Sequence, residues 1–372
     1  YYMKNENAQI GIVGAGIIGS TIYQLLVSCG KNYQVTIADQ KENINPLIND
    51  DHYHRLIITK PTYDGESTQF TQFVRSKDVI INALPYHQNI NLFKACFELG
   101  VPYFDLSEDD GLDKFIESLN IFDLSFTMPH CGLAPGLSTV IANDLLRITS
   151  KPKNVKIRVG ALSQNAANKL RYYTSWSGEG LVNEYLGDCQ VMEDGEYKTV
   201  PALSGYEKIT LDGREYECFN TSGGLGTYAK SLDDTNKSNG MYKSLSVDYK
   251  TIRRIGHHDY VDFLFNDLKI PQNELTNIFS RIPKTRKDAV ILYASCNSEG
   301  RGDENTYLKV FRPTVINGRW LTAIQYTTAI GLIVMVQLFL DGKLGEKGYR
   351  RQEEVLLSDV YSTTYGSFYR QE

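Results

Sequence analysis

Gly14, Gly16 and Gly19 stand in the spacing G-x-G-x-x-G within "QIGIVGAGIIGSTIYQLLVSCGKNYQVTIADQ" (residues 9–40), and Asp39 follows Gly19 by twenty residues. Each glycine has a task in a strand-to-helix turn that must approach a pyrophosphate. Gly14 permits the tight bend, Gly16 lets the backbone come close, and Gly19 lets the helix lie against the strand. The helix start around Gly16, Ile17 and Ile18 then offers N–H groups and the positive end of the helix dipole to the anion. The Asp39 carboxylate suits an adenosine ribose hydroxyl and repels a 2′-phosphate. NAD is therefore the expected cofactor and NADP the less favoured one, with Lys41 the nearby charge on the other side of that balance. A Rossmann-like turn that binds nothing is the competing reading, because fold alone does not give function.

These residues need elements to hold them. "QIGIV" (9–13) reads as a strand, a helix follows from about Ile17 to Cys29, and "YQVTIAD" (33–39) is the second strand. "DVIINAL" (78–84) is an apolar run that stops at Pro85, and "NINLFKACFELG" (89–100) is a helix with Gly100 as its C-cap. "VPYFDL" (101–106) and "SFTMPH" (125–130) are further strands. Buried strands alternating with helices imply an α/β fold, a Rossmann doubly wound parallel sheet. Strand ends in such sheets face the ligand crevice. Asn82, Ala83, Leu84 and Pro85 are therefore expected beneath the adenylate and nicotinamide ribose, with Tyr86 and His87 at the crevice edge. His87 is read as an exposed polar residue.

From about residue 155 to 315 the pattern changes to two-residue alternation, as in "NVKIRVGAL", "AVILYASC" and "YLKVFRP". "EDGE" and "LDGR" carry the Asp-Gly turn signature of hairpins. A second α+β domain with a mixed, largely antiparallel sheet is expected, with "DDTNKSNG" (233–240) as a polar loop. The boundaries read as 1–130 for the Rossmann domain and 131–320 for the second. "AIGLIVMVQLFL" (329–340) carries Gln337 and is shorter than the roughly 20 residues of a membrane span, so it reads as a buried helix.

Composition narrows the classes. Hydrophobic residues make up 42% and charged residues 22%, with a net charge of −5, which argues against nucleic-acid or anionic-membrane binding. The six cysteines are scattered without a C-x-x-C pair, so neither a metal site nor a disulfide framework is expected. With no signal-peptide pattern in "YYMKNENAQI", a cytoplasmic protein is the expectation.

"GIVGAGIIG", "DVIINALPYHQNINLFKACFELGVPYFDLSED", "HCGLAPGLS", "WSGEGLVNEY", "FNTSGGLGT" and "YKTIRRIGHHDYVDFL" occur in that order over residues 9 to about 270. Together they resemble the saccharopine dehydrogenase / lysine 6-dehydrogenase family. The tail "TTAIGLIVMVQLFLDGKLGEKGYRRQEEV" resembles the family's closing helix and acidic end. "TIRRIGHH" departs from the Thr-Leu-Arg-Tyr-type stretch of relatives, which bears on the substrate more than on the fold.

The resemblance implies NAD-dependent hydride transfer at a carbon–nitrogen bond of a small-molecule amino acid or amine. It implies a cleft between the two domains, a homodimer built through the second, and a final helix (about 321–345) that returns to the Rossmann half. The chain length favours lysine 6-dehydrogenase-like oxidative deamination. A saccharopine dehydrogenase, a carboxyalkyl-polyamine reductase and a catalytically silent NAD-binding sensor are the alternatives.

Amine oxidation needs a base to neutralise an ammonium. A tyrosine hydroxyl and an alkylamine are matched in acidity, both near ~10. Tyr86, at the family's Pro-Tyr position, is the first catalytic candidate. Asp105 or Asp109 is the alternative base, and Asp105 reads equally as a ribose ligand or helix cap. In the family the "HCGLAPGLS" turn lies against the nicotinamide, which places Cys131 and Gly132 at the cofactor. Cys131 has no adjacent base and reads as a packed thiol. A substrate carboxylate calls for a two-pronged arginine, with Arg171 and Arg254 as candidates, while Arg253 reads as a surface ion pair. Trp176 and Ser177 lie beside Arg171 in the same motif, and Gly223 and Gly224 are expected to form a backbone wall around the substrate. His257 and His258 project about 100° apart on a helix and read as capping or surface residues.

Overall fold

The computed structural model describes residues 7–42, 45–56, 68–108, 110–119, 124–300 and 304–371. The chain divides into two compact units, Tyr1–Leu137 with Gln325–Arg370, and Ser138–Ile324 with Gln371–Glu372.

The first unit opens with β1 (Gln9–Val13), α1 (Ile17–Val27), β2 (Gln34–Asp39), β3 (Tyr53–Arg55) and α2 (Gln69–Arg75). β4 (Val79–Asn82), α3 (Asn89–Leu99), β5 (Tyr103–Asp105), α4 (Asp110–Glu117) and β6 (Thr127–Met128) follow. Its six strands run in the order β3-β2-β1-β4-β5-β6, with every pair parallel. This is the doubly wound arrangement read from the alternating pattern, and its two halves meet between β1 and β4, the switch point where ligands bind in such sheets. Apolar side chains of both layers fill the core, among them Val13, Ile80, Leu92, Phe93, Tyr103 and Leu112. α3 ends on Gly100 in the left-handed region (φ 68°), which caps it without a Cβ penalty.

The second unit contains most of α5 (Leu137–Ile148), then β7 (Pro152–Ser163), α6 (Gly178–Glu184), β8 (Asp188–Glu193), β9 (Glu196–Pro201), β10 (Glu207–Leu211) and β11 (Arg214–Asn220). α7 (Tyr228–Asn239), β12 (Ser246–Arg253), α8 (His257–Asp262), α9 (Gln272–Phe279), β13 (Asp288–Ser298) and β14 (Glu304–Phe311) follow, and a separate hairpin of β15 (Thr314–Ile316) and β16 (Arg319–Leu321) comes after them. The sheet order is β10-β11-β12-β7-β13-β14, with β8 paired to β12 and β9. Only β12 and β7 pair in parallel along this path, so the sheet is mixed and mostly antiparallel. Asp194-Gly195 and Asp212-Gly213 both lie at positive φ, the I′-type turn expected of an Asp-Gly hairpin.

One expectation is corrected. Residues 233–239 are not a loop but the second half of α7, with Gly240 (φ 68°) as its C-cap. Tyr228, Ala229 and Leu232 bury one face, and Asp233 pairs with Lys237 at 2.6 Å one turn on. The final helix expected over about 321–345 is α10 (Ala323–Leu340). By length and composition its 18 residues suffice to cross a membrane, yet 78% of them are buried inside the protein. Gln337, in its apolar half, is satisfied internally: its amide donates to Thr364 Oγ1 (3.1 Å) and accepts from Thr364 N–H (3.2 Å).

Candidate functional site

The glycine turn is built by backbone proximity. Gly14 (φ 107°) donates to Ala38 O at 2.8 Å, and a Cβ there would stand 2.6 Å from Ala83 O. A Cβ on Gly19 would stand 1.9 Å from Gly14 O, so α1 lies directly against the loop. A Cβ on Gly16 would meet nothing within 4 Å, and no side chain caps the helix that follows. Ser20 Oγ donates to Ala15 O (3.0 Å) and pins the loop from inside the helix. Asp39 closes the other side, with one oxygen accepting from Ala15 N–H (2.8 Å) and the other from Lys41 N–H (3.0 Å). Ile17 is 57% exposed, an apolar side chain left at the mouth of the turn. Open space over Gly16, an uncapped helix start and a carboxylate at the neighbouring strand end fit the pyrophosphate and ribose of a dinucleotide.

At the ends of β4, β5 and β6 the polar side chains turn inward. Asn82 is buried; its amide donates to Asn89 Oδ1 and Tyr103 Oη, both at 2.8 Å, and accepts from Leu84 N–H. Its side chain therefore fixes the turn, leaving Ala83, Leu84 and Pro85 at the strand end. Asp105 is fully buried. One oxygen accepts from Tyr103 Oη (2.9 Å) and the other from the N–H groups of His130 (2.9 Å) and Ser107 (3.1 Å). Burial raises its pKa, and these donors with the His130 charge oppose that rise. Both oxygens are thus committed to the fold. Asp109, its companion candidate, lies outside the described residues. Tyr86 is 40% exposed on a single 3₁₀ turn after Pro85, with its ring edge-on to His87 at 5.8 Å.

The "HCGLAPGLS" turn is close-packed. A Cβ on Gly136 (φ 135°) would stand 2.0 Å from Gly132 O, and one on Gly331 of α10 would stand 2.2 Å from the same atom. Cys131 is buried, its thiol directed at Met128 O (3.2 Å), and burial followed by Asp105 and Glu353 holds its pKa well above the ordinary thiol value. It is a packed thiol rather than a thiolate nucleophile. Beside it His130, in a left-handed conformation (φ 61°), directs Nδ1 at Ser107 O and Nε2 at the two oxygens of Asp113 (2.8 and 2.9 Å).

In the second unit two of the sequence motifs converge on one buried guanidinium. Arg253 donates through Nε to Tyr185 Oη (2.9 Å), through Nη1 to Thr251 and Ile252 O, and through Nη2 to Glu184 (3.1 Å), with Tyr172 and Tyr185 rings beside it. The surface ion pair expected there is therefore a core one. The Tyr185 hydroxyl lies 3.0 Å from His257 Nε2, and His257 Nδ1 lies 2.9 Å from Leu170 O, so Nδ1 carries the proton and Nε2 accepts. Burial and then Arg253 push that imidazole down to about 3. His257 and His258 are not surface residues either. His258 directs Nε2 at Leu203 O (2.8 Å), and buried Glu217 receives the N–H groups of Gly256 and His258 at the start of α8.

The remaining substrate candidates are distributed around this core. Ser177 Oγ caps α6 by accepting from Gly180 N–H (3.2 Å), and Trp176 Nε1 donates to Tyr172 Oη (3.0 Å). Arg171 is exposed at φ 52°, while Arg254 donates to Ser163 O and Gln164 O. Gly223 lies at φ 83°, and the Tyr249 ring packs on Gly224 so tightly that a Cβ would meet it at 2.2 Å. Among the described residues no group of three or more His, Cys, Asp or Glu is placed to hold a metal.

The family model described as saccharopine dehydrogenase NADP binding domain matches residues 10–128, and that described as saccharopine dehydrogenase C-terminal domain matches 132–369. The chain belongs to the saccharopine dehydrogenase family. Among curated proteins, the mitochondrial alpha-aminoadipic semialdehyde synthase of Rattus norvegicus is 21% identical over 210 residues, which cover 54% of this chain and 22% of that protein. The Mus musculus protein of the same name is 22% identical over 218 residues, with the same shares. The chain thus spans less than a quarter of these relatives. Among solved structures, apo saccharopine dehydrogenase (L-Glu forming) from Saccharomyces cerevisiae aligns with a TM-score of 0.70 at 15% identity, over 93% of this chain and 94% of that one. Homospermidine synthase from Legionella pneumophila in complex with NAD aligns at 0.67 and 13% identity, over 98% and 90%. At such identities these likenesses speak to the fold.

The chain thus carries both domains of the saccharopine dehydrogenase family, and the one named for dinucleotide binding contains the open glycine turn. The family's motifs are spent unevenly. The glycine turn leaves open space for a ligand, whereas much of "WSGEGLVNEY" and "TIRRIGHH" builds the Arg253 core. Sequence reasoning passed over His130, Asp113, Tyr103 and Glu217. The histidine beside Cys131 was the available signal, but its partner Asp113 lies seventeen residues away with no spacing rule to connect them.

Proposed function

We propose that this chain is an NAD-dependent dehydrogenase that moves a hydride from an amine-bearing carbon of an amino acid, in the manner of lysine 6-dehydrogenase. Asp39 carries the cofactor choice. Its carboxylate lies at the end of β2 beside the glycine turn, where a 2′-phosphate would meet negative charge. Arg55, its neighbour on β3, is paired with Glu42 at 3.1 Å. The family model is named for NADP and the homospermidine synthase neighbour contains NAD, so this reading rests on the residue.

Bound NAD⁺ supplies the hydride acceptor. Tyr86 is proposed to take a proton from the substrate ammonium, so that the neutral amine's carbon can release hydride. Water then adds to the resulting iminium carbon, and ammonia leaves to give an aldehyde. The exposed Arg171 guanidinium is proposed to meet the substrate carboxylate. A second reading, a secondary amine of the saccharopine type, is favoured by the family itself.

The test is incubation with NAD⁺ and lysine, then with NAD⁺ and saccharopine, following the absorbance of reduced nicotinamide. Turnover of lysine supports the first reading, and turnover of saccharopine alone transfers the reaction to the second. Cofactor binding without turnover of either, or of a carboxyalkyl polyamine, supports a sensor. Tyr86→Phe should lower kcat by about 100-fold or more, and full activity in that variant removes Tyr86 from the chemistry.

A further inference from the structure

His130 is buried beyond the reach of water, yet both ring nitrogens face acceptors. A backbone carbonyl can only accept, so Nδ1, against Ser107 O, must carry hydrogen. Asp113 brackets Nε2 with both oxygens, at 2.8 and 2.9 Å, which is the arrangement of an ion pair. The backbone N–H of His130 donates to Asp105. One residue thereby connects the end of β5, the chain after it, helix α4 and the start of the Cys131–Gly136 turn.

We propose that His130 is an imidazolium at neutral pH and a positioning residue, clamping the chain after β5 to α4 so that the Cys131–Gly136 turn keeps its place against the nicotinamide end of the cofactor. The placement of that end rests on the NAD reading above and on the resemblance of the "HCGLAPGLS" turn. Gly331 of α10 holds the other side of the turn through Gly132 O. On the Cys131 side the clamp acts together with the Cys131 N–H, which donates to Asp105 O at 2.8 Å.

The charged surroundings agree. Asp113 faces the ring from α4 and Asp105 from β5; from the segment after α10, Tyr349 faces both carboxylates, Glu353 faces Cys131 and Tyr349, and Arg351 faces Tyr349. Burial disfavours the cation, but Asp113, then Asp105 and the Ser107 carbonyl outweigh it and push the imidazole up to about 10.

Nitrogen-15 histidine spectra of the full chain read the proton directly. One histidine should show both ring nitrogens protonated and unmoved from about pH 6 to 9, and His130→Gln should abolish that signal. A spectrum without such a histidine, or one whose His130 signal titrates near the ordinary ~6.5, overturns the imidazolium. Positioning is read by ligand binding to Asp113→Asn. NAD⁺ affinity should fall by about ten-fold, while ADP-ribose, which lacks the nicotinamide, should bind as it does to the wild type. Equal losses for both ligands, or no loss for either, overturn the positioning role. Wild-type protein that binds neither ligand overturns that role together with the NAD reading, and the spectrum still decides the imidazolium independently.

Discussion

Gly16 and Gly19 separate two uses of the same residue type. A methyl on Gly19 meets the carbonyl of Gly14 at 1.9 Å, so Gly19→Ala should shift α1 and destabilise the first unit by about 1–3 kcal/mol. A methyl on Gly16 meets no protein atom. Gly16→Ala should therefore melt like the wild type but bind NAD⁺ about ten-fold or more weakly, because it fills space reserved for ligand. Calorimetric melting and dinucleotide titration of the pair check this, and a Gly16→Ala variant that binds normally removes the cradle argument. Asp39→Asn keeps an acceptor for Ala15 N–H while removing the charge. It should shift the NAD over NADP preference toward NADP by about ten-fold in relative affinity. An unchanged ratio would show that Asp39 does not select the cofactor.

At the scale of elements, Arg253 and Glu184 join β12 to α6 inside the second unit. Glu184→Gln keeps the volume but leaves the buried guanidinium without its counter-charge, at a cost of about 3–5 kcal/mol. Replacing both partners, as Glu184→Leu with Arg253→Met, should cost less than the single change, since no buried charge remains. Urea midpoints followed by tryptophan fluorescence suit this comparison, because Trp176 and Trp320 both belong to the second unit. A single variant within 1 kcal/mol of wild type would mean that water reaches the pair. The elements themselves were largely legible. Apolar runs ending in Gly or Pro marked the parallel strands, and Asp-Gly marked the hairpins. α7 was not legible, because "DDTNKSNG" has loop composition and is helical through burial of the preceding turns. The ligand turn was legible because it is local in sequence. The His130–Asp113 and Arg253–Glu184 pairs are seventeen and sixty-nine residues apart, and only the tertiary fold brings them together.

Across the whole molecule the two units should respond to pH in opposite directions. His257 in the second unit is held neutral, down to about 3, while an unfolded chain protonates it near ~6.5. Between those values the unfolded state binds more protons. The contribution is therefore complete above about 6.5 and is lost as pH falls, by up to about 1.4 kcal/mol per unit. His130 in the first unit is shifted the other way, up to about 10. There the folded state binds more protons, so its contribution is complete below about 6.5 and is lost as pH rises toward 10. Acidification from about pH 6.5 to 5 should weaken the second unit, and a rise from about 6.5 to 9 should weaken the first. Hydrogen exchange resolves them separately through peptides from β4–β6 and from β11–β12, at matched intrinsic exchange rates. His257→Gln should flatten the acid slope of the second unit only, and His130→Gln the alkaline slope of the first only. If each variant instead leaves both slopes as they are in the wild type, the two histidines do not govern the pH response of their units.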